Sequence, residues 1–124
     1  MQQNKPKLLI IDDDQRNVFA LSLVLKTKGY AIVSATEAKT GLELLDNDPD
    51  INIVLVDMMM PEMDGYEMLA VLKKDPPPGS KTYIAVTAQA MPGDREKCLA
   101  AGADDYISKP VDIDVLIEKL GKYV

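Results

Sequence analysis

The chain contains no histidine and no tryptophan, and it has a single cysteine. Each shortage removes a class of function. Without histidine there can be no Ser-His-Asp or Cys-His catalysis, and a structural zinc site becomes implausible. Any phosphohistidine chemistry would have to be on a partner. The lone cysteine, Cys98, cannot form an internal disulfide and fits a reducing compartment, so a cytoplasmic location is expected. Taken alone, it reads as a small residue on a helix face. No apolar run approaches the roughly 20 residues that span a membrane, and the run Leu8 to Ile11 is too short for a signal-peptide core. Positive charge is also short: 14 Lys and Arg face 20 Asp and Glu, for a net charge of −6. A surface of that sign repels phosphate backbones, so nucleic acid is not an expected partner, and with no spanning stretch neither is a membrane.

What is present suits one α/β domain. A length of 124 residues with 47% hydrophobic and 27% charged residues matches an ordinary soluble globular unit. Residues 1–6 are polar and are expected as a frayed tail, with residues 7–124 as the domain. Leu8-Leu9-Ile10-Ile11 is a continuous apolar run, the pattern of a strand covered on both faces, and three aspartates end it. Val18, Leu21 and Leu25 then recur at helical spacing up to Gly29. The alternation continues. Strands are predicted at residues 31–34, 51–56, 83–86 and 105–107. Helices are predicted at residues 37–47 with Thr36 as N-cap, from Tyr66 to before Pro76-Pro77-Pro78-Gly79, at 92–101 with Gly102 as its stop, and at 112–123. Leu42 and Leu45 are expected inward on the second helix, Tyr66, Leu69 and Leu72 or Val71 on the third, and Val115, Leu116 and Leu120 on the last. The sum is (βα)5, a parallel sheet with helices on both faces and right-handed crossovers.

In such sheets the site lies beyond the carboxyl ends of the strands. Asp12-Asp13-Asp14 end the first strand, Asp57 the third and Thr87-Ala88 the fourth, and Ser108-Lys109-Pro110 follow the fifth. If the first and third strands are neighbours, carboxylates meet at one spot, and like charges that close need a cation between them. A hard divalent ion such as Mg²⁺ suits an all-oxygen site. With Lys109 as a second positive charge and Thr87 as a donor, this is equipment for phosphoryl transfer: an oxygen nucleophile, a metal and a cationic clamp. The bland alternatives are an N-cap role for Asp14, a capping hydroxyl for Thr87 and a solvated charge for Lys109. Joint placement at strand ends is what lifts the last two above them.

The stretches I-I-D-D-D-Q-R-N, V-D-M-M-M-P-E-M-D-G-Y-E, V-T-A and Y-I-S-K-P, in that order and spacing, resemble the receiver (response regulator) domain family of two-component signalling, over residues 7 to 124. The resemblance implies strand order 2-1-3-4-5. It implies that Asp57 is the phosphoacceptor, and that Asp13 and Asp57 ligate Mg²⁺ by carboxylate and Met59 by its carbonyl, with Asp12 acting mainly through water. It further implies that the amides of Met58, Met59 and Ala88 donate to the phosphoryl oxygens, that Lys109 bridges to that group, and that the Lys109–Pro110 bond is cis. Thr87 and Tyr106 would form the switch. The donor would be a histidine kinase or a histidine phosphotransfer protein, and the output a protein bound on the face of helix four, strand five and helix five. With no DNA-binding or enzymatic segment after Val124, a stand-alone regulator or an excised receiver is expected.

Within V-D-M-M-M-P-E-M-D-G-Y-E, Met58 and Met59 are expected to act through their backbones, with side chains freer to vary. Met60, Met63 and Met68 read as core filler, and Asp64 as a cap for the next helix. Met59 and Gln89 lie two residues beyond Asp57 and Thr87, positions that the resemblance places beside the path of an attacking water. A methionine positions water poorly, so slow self-dephosphorylation is expected. Two rival readings are weaker. A haloacid-dehalogenase-type phosphatase needs D-x-D-x-T/V after its first strand, which is absent here. A flavodoxin-like electron carrier needs a phosphate loop where this chain has three carboxylates.

Overall fold

The computed structural model describes residues 6–88 and 91–123. Most of the expected tail, together with Gln89, lies outside them. Elements alternate throughout: β1 (Lys7–Ile11), α1 (Gln15–Thr27), β2 (Ala31–Ala35), α2 (Ala38–Asn47), β3 (Ile51–Asp57), α3 (Gly65–Lys74), β4 (Thr82–Thr87), α4 (Asp94–Ala101), β5 (Asp105–Ser108) and α5 (Ile113–Gly121). The strands form one parallel sheet in the order β2-β1-β3-β4-β5. The predicted fold class and strand order therefore both hold.

The side-chain period of two along each strand divides the core between the faces of the sheet. Leu8 and Ile10 of β1, Ile53 and Leu55 of β3 and Ile84 and Val86 of β4 pack with Val18, Leu21 and Leu25 of α1 and Leu116 and Leu120 of α5. Leu9, Ile11, Val54, Val56 and Ala85 point the other way, onto Leu45 of α2, Met68, Leu69 and Leu72 of α3, and Cys98 of α4. Because both faces are covered, β1 and β3 are nearly continuous apolar runs. Each large aliphatic side chain fully buried here contributes roughly 1.5–3 kcal/mol.

The helix ends explain most differences from the predicted bounds. Asp14 caps α1, accepting from the amides of Arg16 and Asn17. Asp64 caps α3 in a reciprocal capping box with Glu67, as its position in the sequence suggested. Thr36 is not the cap of α2: Glu37 occupies that position without a side-chain bond. Helix α4 starts at Asp94 rather than Pro92, because Gly93 takes φ +87° and cannot belong to the helix. Gly102 ends α4 at φ +120°, a conformation in which an L side chain would be strained. On α5, Val115 is 41% exposed while Leu116 and Leu120 are fully buried, so only part of the expected inward set faces the sheet. On α3, Leu72 is the inward choice and Val71 is exposed.

Two polar ties position the outer elements. At the end of the sheet opposite the aspartates, the Lys81 ammonium donates to the carbonyls of Ile51 at 2.6 Å and of Asp48 and Pro49 at 3.3 Å, pinning the segment after the Pro-rich loop to the start of β3. On the far edge, Asp105 of β5 accepts from Lys119 at 3.0 Å and Tyr123 at 3.2 Å, tying α5 to β5. Burial disfavours the Asp105 carboxylate. The Tyr106 amide and Lys119 outweigh it, and its pKa is lowered.

Candidate functional site

Register places the acids together. Ile11 of β1 pairs with Val56 of β3, so the next residues, Asp12 and Asp57, emerge side by side at the carboxyl end of the sheet. One carboxylate oxygen from each of Asp12, Asp13 and Asp57 lies within 4.8 Å of the others. Asp12 and Asp57 are 3% and 2% exposed, whereas Asp13 faces solvent. The Lys109 ammonium, delivered by the segment after β5, sits 3.4 Å from a carboxylate oxygen of each buried aspartate. Sequence reasoning placed all four of these groups in one site, and the structure brings them together.

The electrostatics follow from that packing. Burial, reinforced by the neighbouring Asp12 charge, raises the Asp57 pKa against the pull of the Met59 amide and Lys109. Burial works against the Lys109 ammonium, but Asp57 and then Asp12 outweigh it, and its pKa lies above the ordinary lysine value. Three carboxylates and one ammonium leave this group of four with a net charge of −2. The donors are all hard oxygens, one of them solvent-facing, and the unbalanced charge matches a divalent ion. The residues present therefore fit Mg²⁺.

The backbone of the following loop divides its donors. The Met59 amide donates to Asp57 Oδ1 at 3.1 Å, at the edge of the acidic group. The Met58 amide instead donates to the Val86 carbonyl at 2.9 Å, continuing the β3–β4 ladder. For the Met58 amide to meet a phosphoryl oxygen, as expected from the sequence, that bond would have to be shared or lengthened. The Met58 side chain is not free either. It is 1% exposed and lies in the core with Val56, two residues earlier on the same face. Met59 is 57% exposed, and Met60 and Met68 are buried.

Thr87 ends β4, 3% exposed, and its hydroxyl donates to Asp94 Oδ2 in the first turn of α4 at 3.1 Å. Its strand neighbour in register is Ser108, and Ala85 pairs with Tyr106. Thr87 and Tyr106 thus face the same side of the sheet on adjacent strands. Tyr106 is half-buried against the cluster that contains Cys98. Ala88 is exposed just beyond Thr87. The Lys109–Pro110 peptide is cis, and the Lys109 amide donates to the Thr87 carbonyl at 2.7 Å. Two contacts were not anticipated from sequence: Asp94 on Thr87, and Asn17, whose amide donates to Asp12 Oδ2 at 2.7 Å.

Comparison with known proteins agrees with this geometry. The family model of the response regulator receiver domain matches residues 8–121, and the chain belongs to that family. It is a receiver domain of two-component phosphorelay signalling, a family whose members accept a phosphoryl group on an aspartate. It is 37% identical over 112 residues to the response regulator PleD of Caulobacter vibrioides, covering 90% of this chain and 24% of PleD. It is similar to the CheY-like receiver domain protein of Methanospirillum hungatei JF-1, with 33% identity, a TM-score of 0.83 and coverage of 96% and 93% of the two chains. The fold is also that of the Saccharomyces cerevisiae Ssk1 receiver domain crystallised with the histidine phosphotransfer protein Ypd1, at 20% identity and a TM-score of 0.87 over 99% of this chain and 91% of that one. The chain thus spans about a quarter of PleD and nearly all of the Methanospirillum domain.

Proposed function

We propose that Asp57 is the phosphoacceptor and that it takes its phosphoryl group, in a Mg²⁺-dependent reaction, from a phosphohistidine on a histidine kinase or histidine phosphotransfer protein in the cytoplasm. The observation that carries this reading is the convergence of Asp12, Asp13 and Asp57 within 4.8 Å, with the Lys109 ammonium 3.4 Å from two of them. An Asp57 carboxylate oxygen forms the new O–P bond in line with the P–N bond that breaks, and the imidazole nitrogen keeps the electron pair. Asp13 and Asp57 by carboxylate, Met59 by its carbonyl and Asp12 through water would hold Mg²⁺, which when bound supplies positive charge for the phosphoryl oxygens. Lys109 supplies a second charge, and the Met58, Met59 and Ala88 amides supply fixed dipoles. The acyl phosphate then draws Thr87 toward it, Tyr106 turns further inward, and the face of α4, β5 and α5 changes its affinity for a downstream protein. The reading is tested by label uptake from a phosphohistidine donor. Uptake that requires Mg²⁺ and stops with a chelator supports it, whereas steady turnover of a phosphate ester would favour the phosphatase alternative. With no tryptophan in the chain, a radiolabel or mobility-shift gel must serve in place of intrinsic quenching.

Two further outcomes follow. Thr87 has one hydroxyl proton, and Asp94 now receives it at 3.1 Å. Donating to a phosphoryl oxygen means giving up that bond, and a bond to a carboxylate has a net worth of about 1.5–3 kcal/mol. Asp94→Ala is therefore expected to speed label uptake from acetyl phosphate by roughly tenfold or more; an unchanged initial rate would show that the contact does not restrain Thr87. The second concerns lifetime. Exposed and apolar, the Met59 side chain cannot orient a water on the acyl phosphate. Met59→Asn should shorten the lifetime of the phosphorylated protein by roughly tenfold, a gain of the size that positioning a reactant supplies, with the melting temperature little changed. Equal decay rates would remove Met59 from the account of slow self-dephosphorylation.

A further inference from the structure

Two helices of this chain solve the same capping problem differently. In α3, Asp64 accepts the Glu67 amide at 2.9 Å and Glu67 Oε1 accepts the Asp64 amide at 3.1 Å, an ordinary capping box. In α1, Asp14 accepts the Arg16 amide at 3.0 Å and the Asn17 amide at 3.4 Å, but the Asp14 amide goes to Asp12 Oδ1, at 2.9 Å. Asp12 thereby does the work that the third helical residue does in α3. Asn17, which holds that third position, is released from it and turns its side-chain amide onto Asp12 Oδ2 at 2.7 Å. The first turn of α1 carries no acid, unlike those of α3, α4 and α5, although the helix dipole favours one there.

The oxygen that Asn17 holds is the one that faces Lys109. Asp12 Oδ2 is 2.7 Å from the Asn17 amide nitrogen and 3.4 Å from the Lys109 ammonium, and that ammonium is also 3.4 Å from Asp57 Oδ2. We infer that Asn17 is a positioning residue: by satisfying Asp12 Oδ2 it stops Asp12 from capturing Lys109 and keeps that charge shared with Asp57. Asp12 is 3% exposed in the intact chain, and with Asn17 gone the Lys109 ammonium is the side-chain donor left facing Asp12 Oδ2, so it is drawn closer. Each step Lys109 takes toward Asp12 moves it away from the oxygen where the phosphoryl group arrives. An aspartate at this position could not donate and would add a fourth carboxylate to the group. The inference rests on the reading of Asp57 as acceptor and Lys109 as its cation.

The test has two arms. In metal-free protein, NOEs from the Lys109 ε-protons to the β-protons of Asp12 and Asp57 report where the ammonium lies. Wild type should show both, and Asn17→Ala should lose the Asp57 contact; an unchanged pattern overturns the inference. In the kinetic arm, Asn17→Ala at saturating Mg²⁺ should take up label from acetyl phosphate roughly tenfold more slowly, and Asn17→Asp at least as slowly, since a cation moved off target costs of that order or more. In a Lys109→Met background the same substitutions should change the residual rate less than about twofold, because the group they act through is gone. An equal loss in both backgrounds, or none in wild type, would contradict the proposal. Asn17→Asp is close to isosteric and guards against a folding artefact, as does a cooperative melt for each variant. Undiminished uptake by Asp57→Asn would instead refute the acceptor reading, a distinct outcome.

Discussion

Asp57→Asn protein should incorporate no label above the blank from acetyl phosphate with Mg²⁺, while melting at a higher temperature than wild type. The first half follows from chemistry: a carboxamide in the same place cannot form the acyl phosphate. The second follows from the burial of Asp57, 2% exposed, next to Asp12, which raises its pKa. A carboxyl whose folded-state pKa is raised supports the fold most when protonated. That support is complete below the ordinary carboxylate range and is lost as pH rises through the folded-state value. At neutral pH wild type carries the full cost of the charge and the asparagine variant does not. The gap in melting temperature should therefore be largest at pH 7 in the absence of Mg²⁺ and close as the pH falls toward about 4. Added Mg²⁺ should stabilise wild type and leave the variant much less changed. A variant that takes up label as wild type does would remove Asp57 from the mechanism. One that is silent but less stable than wild type at neutral pH would show that the pair with Lys109 outweighs the burial.

Gly65→Ala should lose both stability and phosphotransfer, although no reacting atom is touched. A Cβ at Gly65 would lie 2.7 Å from Met58 Cα and 2.9 Å from the Asp57 carbonyl oxygen, as well as 2.5 Å from Met58 Sδ. The sulfur could swing aside. The two backbone atoms could not, so the tip of β3 and the start of α3 would have to separate. Overpacking of this kind costs about 1–3 kcal/mol. The displaced backbone carries Asp57 itself, and a shift of about 1 Å at a reacting group can cost on the order of 100-fold in rate. A lower midpoint in denaturant with an unchanged slope, together with label uptake reduced on the order of 100-fold well below the melting temperature, is the expected result. Normal uptake in a destabilised protein would mean that the loop absorbs the strain without moving the acceptor.

The fold was legible because each strand announces itself. Leu8 to Ile11 and Ile51 to Val56 are continuous apolar runs that end in aspartate, and a parallel sheet covered on both faces produces that pattern. Site placement was legible for the same reason, since the ends of strands are marked in the sequence by the switch from apolar to charged residues. Side-chain direction near element ends was less so. Val115 and Leu116 look equivalent in the sequence, but the sheet covers only the stripe of α5 that runs through Leu116 and Leu120, four residues apart. Met58 was read within a motif, whereas the period of two that places Val56 in the core also places Met58 there. Asn17 on Asp12 and Thr87 on Asp94 leave no periodic trace, because each joins the tip of a strand to the first turn of the helix that follows. Such contacts are set by the turn between the elements, and spacing alone does not reveal which way a side chain goes there.

Reductive trapping tests the central claim most directly. An acyl phosphate is cleaved by borohydride to the alcohol, which converts the phosphorylated aspartate, and no other, to homoserine. The protein should be phosphorylated with a phosphohistidine donor and Mg²⁺, reduced with borohydride, digested and sequenced by mass spectrometry. Homoserine at position 57 alone is the predicted result. Homoserine at position 12 or 13, or none at any aspartate despite label uptake, would contradict the account.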